Sequence, residues 1–384
     1  MILQARILYF IKVSCAVVIL CYFVFLPPSP LLQQNESIQE FIHRERAELA
    51  DLVQERINAL QNPDDCAKAK KLVCMVHSNC GFGCTVHHIV YCLMTGYMTN
   101  RTVILNLKQL YKGVPWNHVF LPLSSTCLEG SGISYGVWGG GGSNISAQVV
   151  KVSTFRTMIS NKESPWEALR PTRFPPEFES RLGKVSNDPL IWWAGQFMAY
   201  VMRLRPDTEK SIREAKRKMR EGMRYNDSSI IPIGIHVRRT DKLIKEAEYY
   251  PLKAYLSHVE RHLRLREKIE GKAISGHIFL ASDEPKVIEE ARKLEKNSCK
   301  WKLWANESIA KDAEKVNNRF RSGMLGILMD VMLLADCDFV VCTFSSSICK
   351  LVAELKEVDD AKDYRGEVVS LDDPFSFFDF NTTV

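Results

Sequence analysis

An abrupt change from apolar to charged residues at position 236 constrains the fold of this chain more than any other feature of its sequence. Residues 230–235 are apolar, and residues 236–242 read His-Val-Arg-Arg-Thr-Asp-Lys. The apolar run predicts a buried strand, whereas the charged residues cannot stay in a protein core. The strand therefore delivers charge to one edge of a sheet, which is where open α/β folds bind their ligands.

The charged cluster suits a diphosphate. Arg238 and Arg239 are adjacent, with Asp241 and Lys242 close behind, and arginine forks match phosphate oxygens in bidentate geometry. Because side chains alternate along a strand, Arg238 shares a face with His236 and Arg239 does not. A solvated basic turn is the alternative interpretation. The diphosphate hypothesis would fail if a crystal soaked with a nucleoside diphosphate placed the nucleotide elsewhere or showed these side chains locked in internal ion pairs.

Strand-like and helix-like patterns alternate from residue 228 onward. The predicted strands are 230–237, 278–281, 339–342 and 368–371, and the predicted helices are 252–269, 285–294, 324–335 and one ending at 355. Such alternation is typical of a Rossmann-like, doubly wound parallel sheet with right-handed crossovers. Gly-x-Gly-x-x-Gly and Gly-x-x-x-x-Gly-Lys loops are absent from the sequence, which argues against a nicotinamide or flavin enzyme and against a phosphate-cleaving nucleotidase.

Three of the predicted strands end in polar residues, which parallel pairing would bring to the same edge. One end carries Asp283 and Glu284, which can hold a nucleobase or ribose or can cap the helix starting at Pro285. Another is the serine turn at residues 343–347, whose hydroxyl and N–H groups can hold a phosphate or cap the following helix. Asp330 lies in an apolar helix, where an unpaired carboxylate is costly, so it should have a partner.

Residues 7–26 form an apolar segment interrupted only by Lys12 and Ser14, with Arg6 before it and prolines after it. Twenty residues are enough to cross about 30 Å of hydrocarbon as a helix, and a lysine near one end can snorkel. We expect residues 1–30 to be a cytosolic tail and signal anchor, with a cleaved signal peptide as the alternative. The positive-inside rule then places the rest of the chain in a lumen.

The cysteine content fits a lumenal protein. Six cysteines crowd into residues 66–127, which predicts a disulfide framework in an oxidising compartment, although the sequence alone permits fifteen pairings of six. Zinc is the alternative, because ligand-like spacing is present. The candidate zinc ligands are Cys80, Cys84, His87, His88 and Cys92. The predicted glycosylation sequons are Asn35, Asn100, Asn144, Asn226, Asn306 and Asn381.

The 384 residues, 46% apolar and 25% charged, are enough for a sizeable core, and the net charge of +6 mildly favours an anionic ligand without suggesting nucleic acid. We predict a helical stem at 31–62, a disulfide-rich α/β subdomain at 63–227 and a Rossmann-like, ligand-binding subdomain at 228–384. The stem is amphipathic and either packs on the body or pairs with a partner helix. Aromatic residues expected in the core, with sugar stacking as the alternative, are Trp192, Trp193, Phe197 and Tyr200.

The motif at residues 236–242 resembles the signature of the α1,6-fucosyltransferases, which fucosylate the core of N-glycans. The resemblance extends over roughly residues 50–375 and includes the cysteine-rich stretch around Gly81-Phe82-Gly83. It implies a GT-B-like, inverting enzyme of the Golgi membrane that uses GDP-fucose and needs no metal. The implied acceptor is the 6-hydroxyl of the innermost N-acetylglucosamine of an N-glycan.

The resemblance also implies roles for individual residues. Glu246 would be the general base, with Lys242 hydrogen-bonded to it or tuning its charge, and Glu248 is the alternative base. Arg238 would hold the β-phosphate, while Arg239 would support the loop or the second phosphate. The other implied donor-binding residues are Tyr111, His236, Asp241, Tyr255, Asp283, Glu284, Asp330 and Ser346.

Further implications concern the cysteines and a metal. The implied disulfides are Cys66–Cys127, Cys74–Cys92, Cys80–Cys84 and Cys342–Cys349. Asp336-Cys337-Asp338 resembles the metal-binding Asp-x-Asp of other glycosyltransferases, but it precedes a strand, and we predict the end of a helix there. Tyr255 fits the core of its helix as well as a donor site.

The departures from the family concern the acceptor. Ser347 stands where the family has a glutamine, Ser78 stands where it has a lysine, and the SH3-like domain is not expected because the sequence stops at Val384. Two hypotheses remain: a Golgi fucosyltransferase, and a silent or acceptor-altered relative that binds GDP-fucose, glycans or protein partners. Joint retention of the predicted base, its lysine and the phosphate-binding arginine favours the enzyme. The stem can also support a homodimer.

Overall fold

The computed structural model describes residues 37–76, 81–107, 114–138, 144–153, 174–239, 248–305, 321–358 and 364–376. The chain forms two compact units, Met1–Arg44 and Glu45–Val384. In the first unit the described residues belong to the start of one helix. This division does not coincide with the predicted subdomain boundaries, which stay predictions.

Helices and strands make up most of the described chain. The strands are β1 Lys71–Met75, β2 Thr102–Asn106, β3 Tyr135–Val137, β4 Val149–Val152, β5 Ile230–Val237, β6 Ser275–Ser282, β7 Trp301–Ala305, β8 Phe339–Cys342 and β9 Val368–Ser370. The helices are α1 Ile38–Gln61, α2 Phe82–Met98, α3 Pro176–Val185, α4 Pro189–Val201, α5 Pro206–Gly222, α6 Leu252–Glu270, α7 Pro285–Glu295, α8 Arg321–Asp336, α9 Ser347–Val358 and α10 Tyr364–Glu367.

Two sheets of parallel strands organise these elements. The first has the strand order β2-β1-β4-β3, and the second has the order β7-β6-β5-β8-β9. All strand pairs within the described residues are parallel, so the predicted α/β class with a parallel sheet in the second half is confirmed. The edge strand β7 was not predicted from the sequence, and β6 is longer at both ends than its apolar run indicates.

β5 is the central strand of the second sheet, and all of its residues are buried. It pairs with β6 along its whole length and with β8 from Ile233 onward. Pro232 precedes the first residue that pairs with β8, so its missing N–H does not interrupt that ladder. Ile233, Ile235 and Val237 belong to the core cluster formed with α6 and α7. Strands that are buried on both faces read as continuous apolar runs, which explains the pattern in the sequence.

Disulfides join elements of both sheets to their helices. The bonded pairs among the described cysteines are Cys66–Cys127, Cys74–Cys92 and Cys342–Cys349, all as predicted. Cys84 is also disulfide-bonded, and its predicted partner Cys80 lies outside the described residues. The zinc alternative is wrong, because Cys84 and Cys92 have their sulfurs in disulfides and are not available to a metal.

Helix α4 forms the core of the first half. Trp192, Trp193, Phe197 and Tyr200 are all buried. The rings of Trp193 and Phe197 meet with their centroids 5.0 Å apart, and the Tyr200 hydroxyl donates to the carbonyl oxygen of Leu123 at 2.8 Å. Core packing is therefore the correct interpretation of these aromatic residues, and the sugar-stacking alternative is wrong.

The part of the stem helix that belongs to the second unit, from Glu45 onward, packs on the body of that unit. Its buried residues, spaced three or four apart, are Arg46, Leu49, Val53, Ile57 and Gln61. The Arg46 guanidinium is buried, lies 3.4 Å from Glu357 Oε1 and donates to the carbonyl oxygen of Val185 at 3.2 Å. The alternative in which the stem packs on the body is confirmed for the part of the helix that follows residue 44.

A buried contact between a histidine ring and a carboxylate joins α2 to α9. His87 Nε2 lies 3.1 Å from Glu354 Oε2, and both side chains are almost completely buried. His87 Nδ1 donates to the carbonyl oxygen of Gly83 at 2.7 Å. Both ring nitrogens thus face oxygen atoms of the protein. A Cβ on Gly83 would lie 2.9 Å from Ser347 Cβ, so the glycine permits the close approach of the two helices.

Membrane crossing and glycosylation remain predictions. None of the helices in the described part of the chain combines the length and the apolar character needed to cross a membrane. The expected anchor at residues 7–26 lies outside the described residues. Among the sequons, Asn100, Asn144 and Asn226 are exposed, and the other three lie outside the described residues.

Replacing Glu354 by glutamine should destabilise the protein, because the buried His87 ring would lose the carboxylate oxygen that faces its Nε2. We expect a loss of about 3 kcal/mol in the free energy of unfolding, which is typical when one partner of a buried pair is removed. Chemical denaturation followed by tryptophan fluorescence measures the loss. The control is Glu209→Gln, which removes the exposed partner of Arg213 and should cost far less. Equal losses in the two variants would show that the buried contact contributes no more than the exposed ion pair does.

Candidate functional site at the carboxyl edge of the second sheet

Four strands of the second sheet end beside one another. β5 lies between β6 and β8, and β9 follows β8, so their parallel carboxyl ends share one edge. The register pairs Val237 with Ser282 and Cys342 with Ser370. The residues that leave β5, β6 and β8 at this edge are the polar groups that the sequence pattern brings together. The carboxyl end of β9 lies at the same edge, but the sequence analysis did not include it among the polar strand ends.

Asp283 fixes Arg238 at this edge. Arg238 Nη1 lies 2.5 Å from Asp283 Oδ2, and Asp283 Oδ1 accepts the backbone N–H of Arg239 at 3.0 Å. The carboxylate therefore bridges the end of β6 to the end of β5 through charge-assisted hydrogen bonds. The Arg238 side chain remains 21% exposed, so it is ion-paired and still accessible to a ligand from solvent.

The Arg239 side chain is buried and is held by contacts within the protein. Its side chain is 8% exposed and lies 3.7 Å from the carboxylates of both Glu284 and Glu290. Arg239 Nη2 donates to the carbonyl oxygen of Tyr250 at 3.1 Å, and the Tyr249 ring centroid lies 4.6 Å from the guanidinium carbon. Two roles were expected for Arg239, supporting the loop or holding the second phosphate. The geometry of Arg239 fits the role of supporting the loop.

The serine turn after β8 is held by Asp372. Asp372 Oδ1 accepts the N–H of Phe344 at 2.7 Å, and Oδ2 accepts the N–H of Ser345 at 3.3 Å. Ser370 Oγ donates to Asp372 Oδ1 at 2.6 Å. Two backbone N–H groups that the sequence offers to a phosphate are thus taken by a carboxylate of the protein. Ser346, the implied donor contact, is buried immediately after them.

Tyrosines near the start of α6 complete the described part of this edge. Tyr255 is buried in the core cluster, and burial raises the pKa of its phenol, while the charge of Arg239 opposes the shift and that of Asp372 adds to it. The Tyr250 hydroxyl donates to Glu248 Oε2 at 3.4 Å. Burial and the nearby Glu248 and Asp372 carboxylates raise the Tyr250 pKa. Tyr255 is thus a core residue of its helix, and its donor-binding role stays a prediction.

Asp330 is placed on α8, the helix that leads into β8. Within the described residues it has no hydrogen bond or ion pair, so the predicted partner is not found there. The side chain retains some exposed surface, but desolvation by its surroundings raises the pKa of the carboxyl to about 8. His236, the other implied nucleotide contact on a regular element, is buried at the end of β5.

Part of the implied site cannot be placed. The residues outside the described part of the chain are Tyr111, Asp241, Lys242 and Glu246. Their roles, including that of the general base, stay predictions. Glu248, the alternative base, is exposed and lies just before α6.

Asp372, Ser370 and Glu290 contribute to this edge and were not singled out from the sequence. For Asp372 a signal was present, because Asp372 and Asp373 follow the last predicted strand as polar residues follow the other strands. For Glu290 no signal distinguishes it from the other charged residues on the exposed side of α7.

The described residues contain no cluster of three or more His, Cys, Asp or Glu side chains placed to hold a metal ion. Asp336, from the Asp-x-Asp sequence, is the last residue of α8, as predicted. Its carboxylate accepts from Arg220 Nε at 2.7 Å and from Lys216 Nζ at 3.3 Å. These contacts join α8 to α5 and explain the aspartate as a structural residue.

Comparison with known proteins gives a consistent set of matches. Residues 24–375 match the family model described as alpha-(1,6)-fucosyltransferase N- and catalytic domains. An alpha-(1,6)-fucosyltransferase of Drosophila melanogaster is 34% identical over 328 residues, which cover 85% of this chain and 50% of that relative. The protein of the same name from Caenorhabditis elegans is 30% identical over 353 residues, which cover 91% of this chain and 60% of the relative. The chain thus spans about half the length of the first of these relatives.

Two solved structures are distantly similar. An Arabidopsis thaliana FUT1 mutant in complex with GDP has a TM-score of 0.45 and 12% identity, covering 86% of this chain and 79% of that chain. The fucosyltransferase NodZ from Bradyrhizobium has a TM-score of 0.36 and 17% identity, covering 74% of this chain and 92% of that chain. Similarity this low assigns neither a ligand nor a site to the present chain.

The raised pKa of Asp330 should make the stability of the protein depend on pH, and it also fixes the direction of that dependence. The carboxyl has a pKa of about 8 in the folded chain and about 4 when unfolded, so the folded state binds its proton more tightly. The resulting stabilisation is complete below the unfolded pKa and is lost as the pH rises through the folded value. We expect the protein to lose stability relative to Asp330→Asn between about pH 4 and pH 8, by on the order of 1–2 kcal/mol.

Urea denaturation of both proteins across this pH range measures the difference. The control is Asp338→Asn, which alters an exposed carboxylate two residues after the end of the same helix. Its stability should change with pH in parallel with that of the unmodified protein. The raised pKa is contradicted if the Asp330→Asn curve also runs parallel.

Proposed function

The chain belongs to the α1,6-fucosyltransferase family, and on that premise we propose that it is an inverting, GT-B-like glycosyltransferase that uses GDP-fucose. The family match carries the proposal, because residues 24–375 include every described residue of the site. The proposed acceptor is the 6-hydroxyl of the innermost N-acetylglucosamine of an N-glycan. The relatives from fruit fly and nematode carry the name of this activity, and the chain spans 50% and 60% of their lengths.

Arg238 supports the proposal from the geometry of the edge. Transfer of a sugar from a nucleoside diphosphate leaves negative charge on the departing phosphates, and a guanidinium placed there stabilises it. Arg238 is oriented by Asp283 and remains accessible. Because it is oriented in advance, little reorganisation is needed when the charge develops. We assign the β-phosphate to Arg238 and the support of the loop to Arg239.

An inverting transfer also needs a base for the acceptor hydroxyl on the opposite side of the sugar. By its place in the family motif, Glu246 is the proposed base, and Lys242 is its hydrogen-bonding or charge-tuning partner. Glu248 is the alternative, and the contact it makes with the Tyr250 hydroxyl keeps it close to the start of α6. In this scheme the arginine supplies the positive charge, and no metal ion is required.

We further propose that the protein is a single-pass type II protein of the Golgi membrane, with its catalytic part in the lumen and glycoproteins as acceptors. Disulfides such as Cys66–Cys127 and Cys342–Cys349 support an oxidising compartment. The exposed sequons at Asn100, Asn144 and Asn226 suit glycosylation in the same compartment. The exposed face of the stem helix is the proposed surface for a homodimer.

The purified protein should release GDP from GDP-fucose when it is given an N-glycan acceptor. We expect release with a biantennary N-glycan that ends in N-acetylglucosamine and little release without it, because a bound donor needs an acceptor hydroxyl to react. A coupled assay for GDP measures the rate, and mass spectrometry of the glycan locates the fucose. A chelator should leave the rate unchanged, and a loss that manganese restores would contradict the metal-free scheme.

Two other outcomes of this assay decide between the hypotheses. Thermal stabilisation by GDP-fucose without transfer to any glycan would favour a silent or acceptor-altered relative. Neither stabilisation nor transfer would contradict donor binding itself.

Replacing Arg238 by alanine should lower turnover by about 100-fold or more, because the transition state loses its main stabilising charge. Arg238→Lys keeps the positive charge but lacks the planar guanidinium. Its turnover should lie between that of the unmodified protein and that of Arg238→Ala. Steady-state rates with saturating acceptor measure both effects. The control is Arg213→Ala, which removes an exposed guanidinium paired with Glu209 on α5 and should keep full turnover. Unchanged turnover in Arg238→Ala would remove the assignment of the site.

A further inference from the structure

We propose that Asp372 is a positioning residue that presets the serine turn for the donor diphosphate. The inference rests on the proposed function, since it concerns how GDP-fucose is held at the same edge. Asp372 lies two residues after β9 and was not singled out from the sequence. What singles it out is the pair of backbone N–H groups that its carboxylate accepts.

Asp372 occupies the turn as a bound anion would. Its two oxygens accept the consecutive N–H groups of Phe344, at 2.7 Å, and Ser345, at 3.3 Å. Successive N–H groups that converge on one anion are a common backbone arrangement for binding phosphate. Here the carboxylate fills that arrangement, so a phosphate cannot use the same two N–H groups while Asp372 stays in place.

Residues 370–375, called the strap from here on, hold the carboxylate in position. The N–H of Leu371 donates to the carbonyl oxygen of Cys342 at 2.9 Å, which extends the β8–β9 ladder beyond the last strand residue. The hydroxyl of Ser370 donates to Asp372 Oδ1 at 2.6 Å. The Phe375 ring meets the Phe344 ring with centroids 5.2 Å apart. Backbone, hydroxyl and ring contacts together tie the strap to the turn.

The consequence for the turn is preorganisation. With the N–H groups of Phe344 and Ser345 anchored, Ser346 follows directly, and its own N–H donates to the carbonyl oxygen of Thr343 at 3.0 Å. The Cys342–Cys349 disulfide closes the same turn covalently. A phosphate that meets Ser346 therefore does not have to order the loop, and this removes part of the entropic cost of binding.

The charge of Asp372 has a second effect on where the phosphate lies. The carboxylate sits at the N-terminal end of α9, where the helix dipole favours negative charge. The same charge repels a phosphate from the N–H groups that it occupies. The diphosphate is therefore directed to the neighbouring groups, Ser346 on the turn and Arg238 at the end of β5.

The test is Asp372→Asn, which keeps the size of the side chain, removes its charge and replaces one acceptor oxygen by an amide that cannot accept from a backbone N–H. Isothermal titration calorimetry with GDP measures both the Kd and the number of binding sites. We expect the Kd to rise about tenfold, as for the loss of one charge-assisted hydrogen bond, with an unchanged number of sites. The KM for GDP-fucose should rise with the Kd, and kcat should change little.

A purely structural role would give the opposite pattern, with fewer competent sites and an unchanged Kd, and that pattern would overturn the proposal. Asp372→Glu keeps the charge and should bind GDP more tightly than Asp372→Asn, and weaker binding would also overturn it. Asp373→Asn is the matched control, because Asp373 is the exposed neighbour on the same strap, and it should bind GDP as the unmodified protein does.

Two results separate this inference from the proposed function. If the unmodified protein binds GDP and Asp372→Asn binds it equally well or more tightly, the inference alone is overturned, and tighter binding would mean that the carboxylate blocks the phosphate. If the unmodified protein does not bind GDP, the proposed function is overturned and this inference with it.

A double-mutant cycle tests whether Asp372 acts through the turn. Ser346→Ala and Asp372→Asn should each raise the Kd for GDP, and the double variant should raise it by less than the product of the two single effects. If the fold-change in Kd of the double variant equals the product of the two single fold-changes, Asp372 does not act through the turn, and this part of the proposal is overturned.

Discussion

The site depends on the register in which β5 pairs with β6. Val237 lies opposite Ser282, so the next residues, Arg238 and Asp283, leave their strands side by side and meet at 2.5 Å. A slip of one residue would turn one of these side chains to the other face of the sheet and break the contact. Such a slip is opposed by the core itself, because all of β5 and nearly all of β6 are buried. Apolar packing in the interior thus sets an electrostatic contact at the rim.

The same strand end gives two adjacent arginines different environments. Arg238 meets the Asp283 carboxylate and keeps accessible surface, whereas Arg239 is enclosed by Glu284, Glu290 and the Tyr249 ring. Alternation along the strand predicts that they point apart, but not how completely one of them is buried. The Arg238-Arg239 dipeptide therefore contains one accessible guanidinium, which is the proposed phosphate-binding group, and one buried guanidinium, which contacts the protein.

Much of the second sheet was predictable because burial on both faces of β5 gives a continuous apolar run whose end is marked by charge. The disulfides followed from the family resemblance, since spacing alone leaves many pairings open. Strand β7 was missed because it is a short edge strand, Trp-Lys-Leu-Trp-Ala, whose pairing is visible only once β6 is in place. The contact of Asp372 with a turn 28 residues earlier was equally hidden, because it exists only through the pairing of β8 with β9.

Helix α9 shows a related limit. Its end was predicted at residue 355, yet the helix runs to Val358, and the charged side chains at positions 354, 356 and 357 are buried. Their partners are His87 for Glu354, Arg46 for Glu357 and Glu367 for Lys356. Each partner comes from a different element, so no periodicity within α9 signals the burial. Because buried charges are tolerated only where partners meet them, these contacts fix where α9 lies, and they thereby fix the serine turn from which the helix begins.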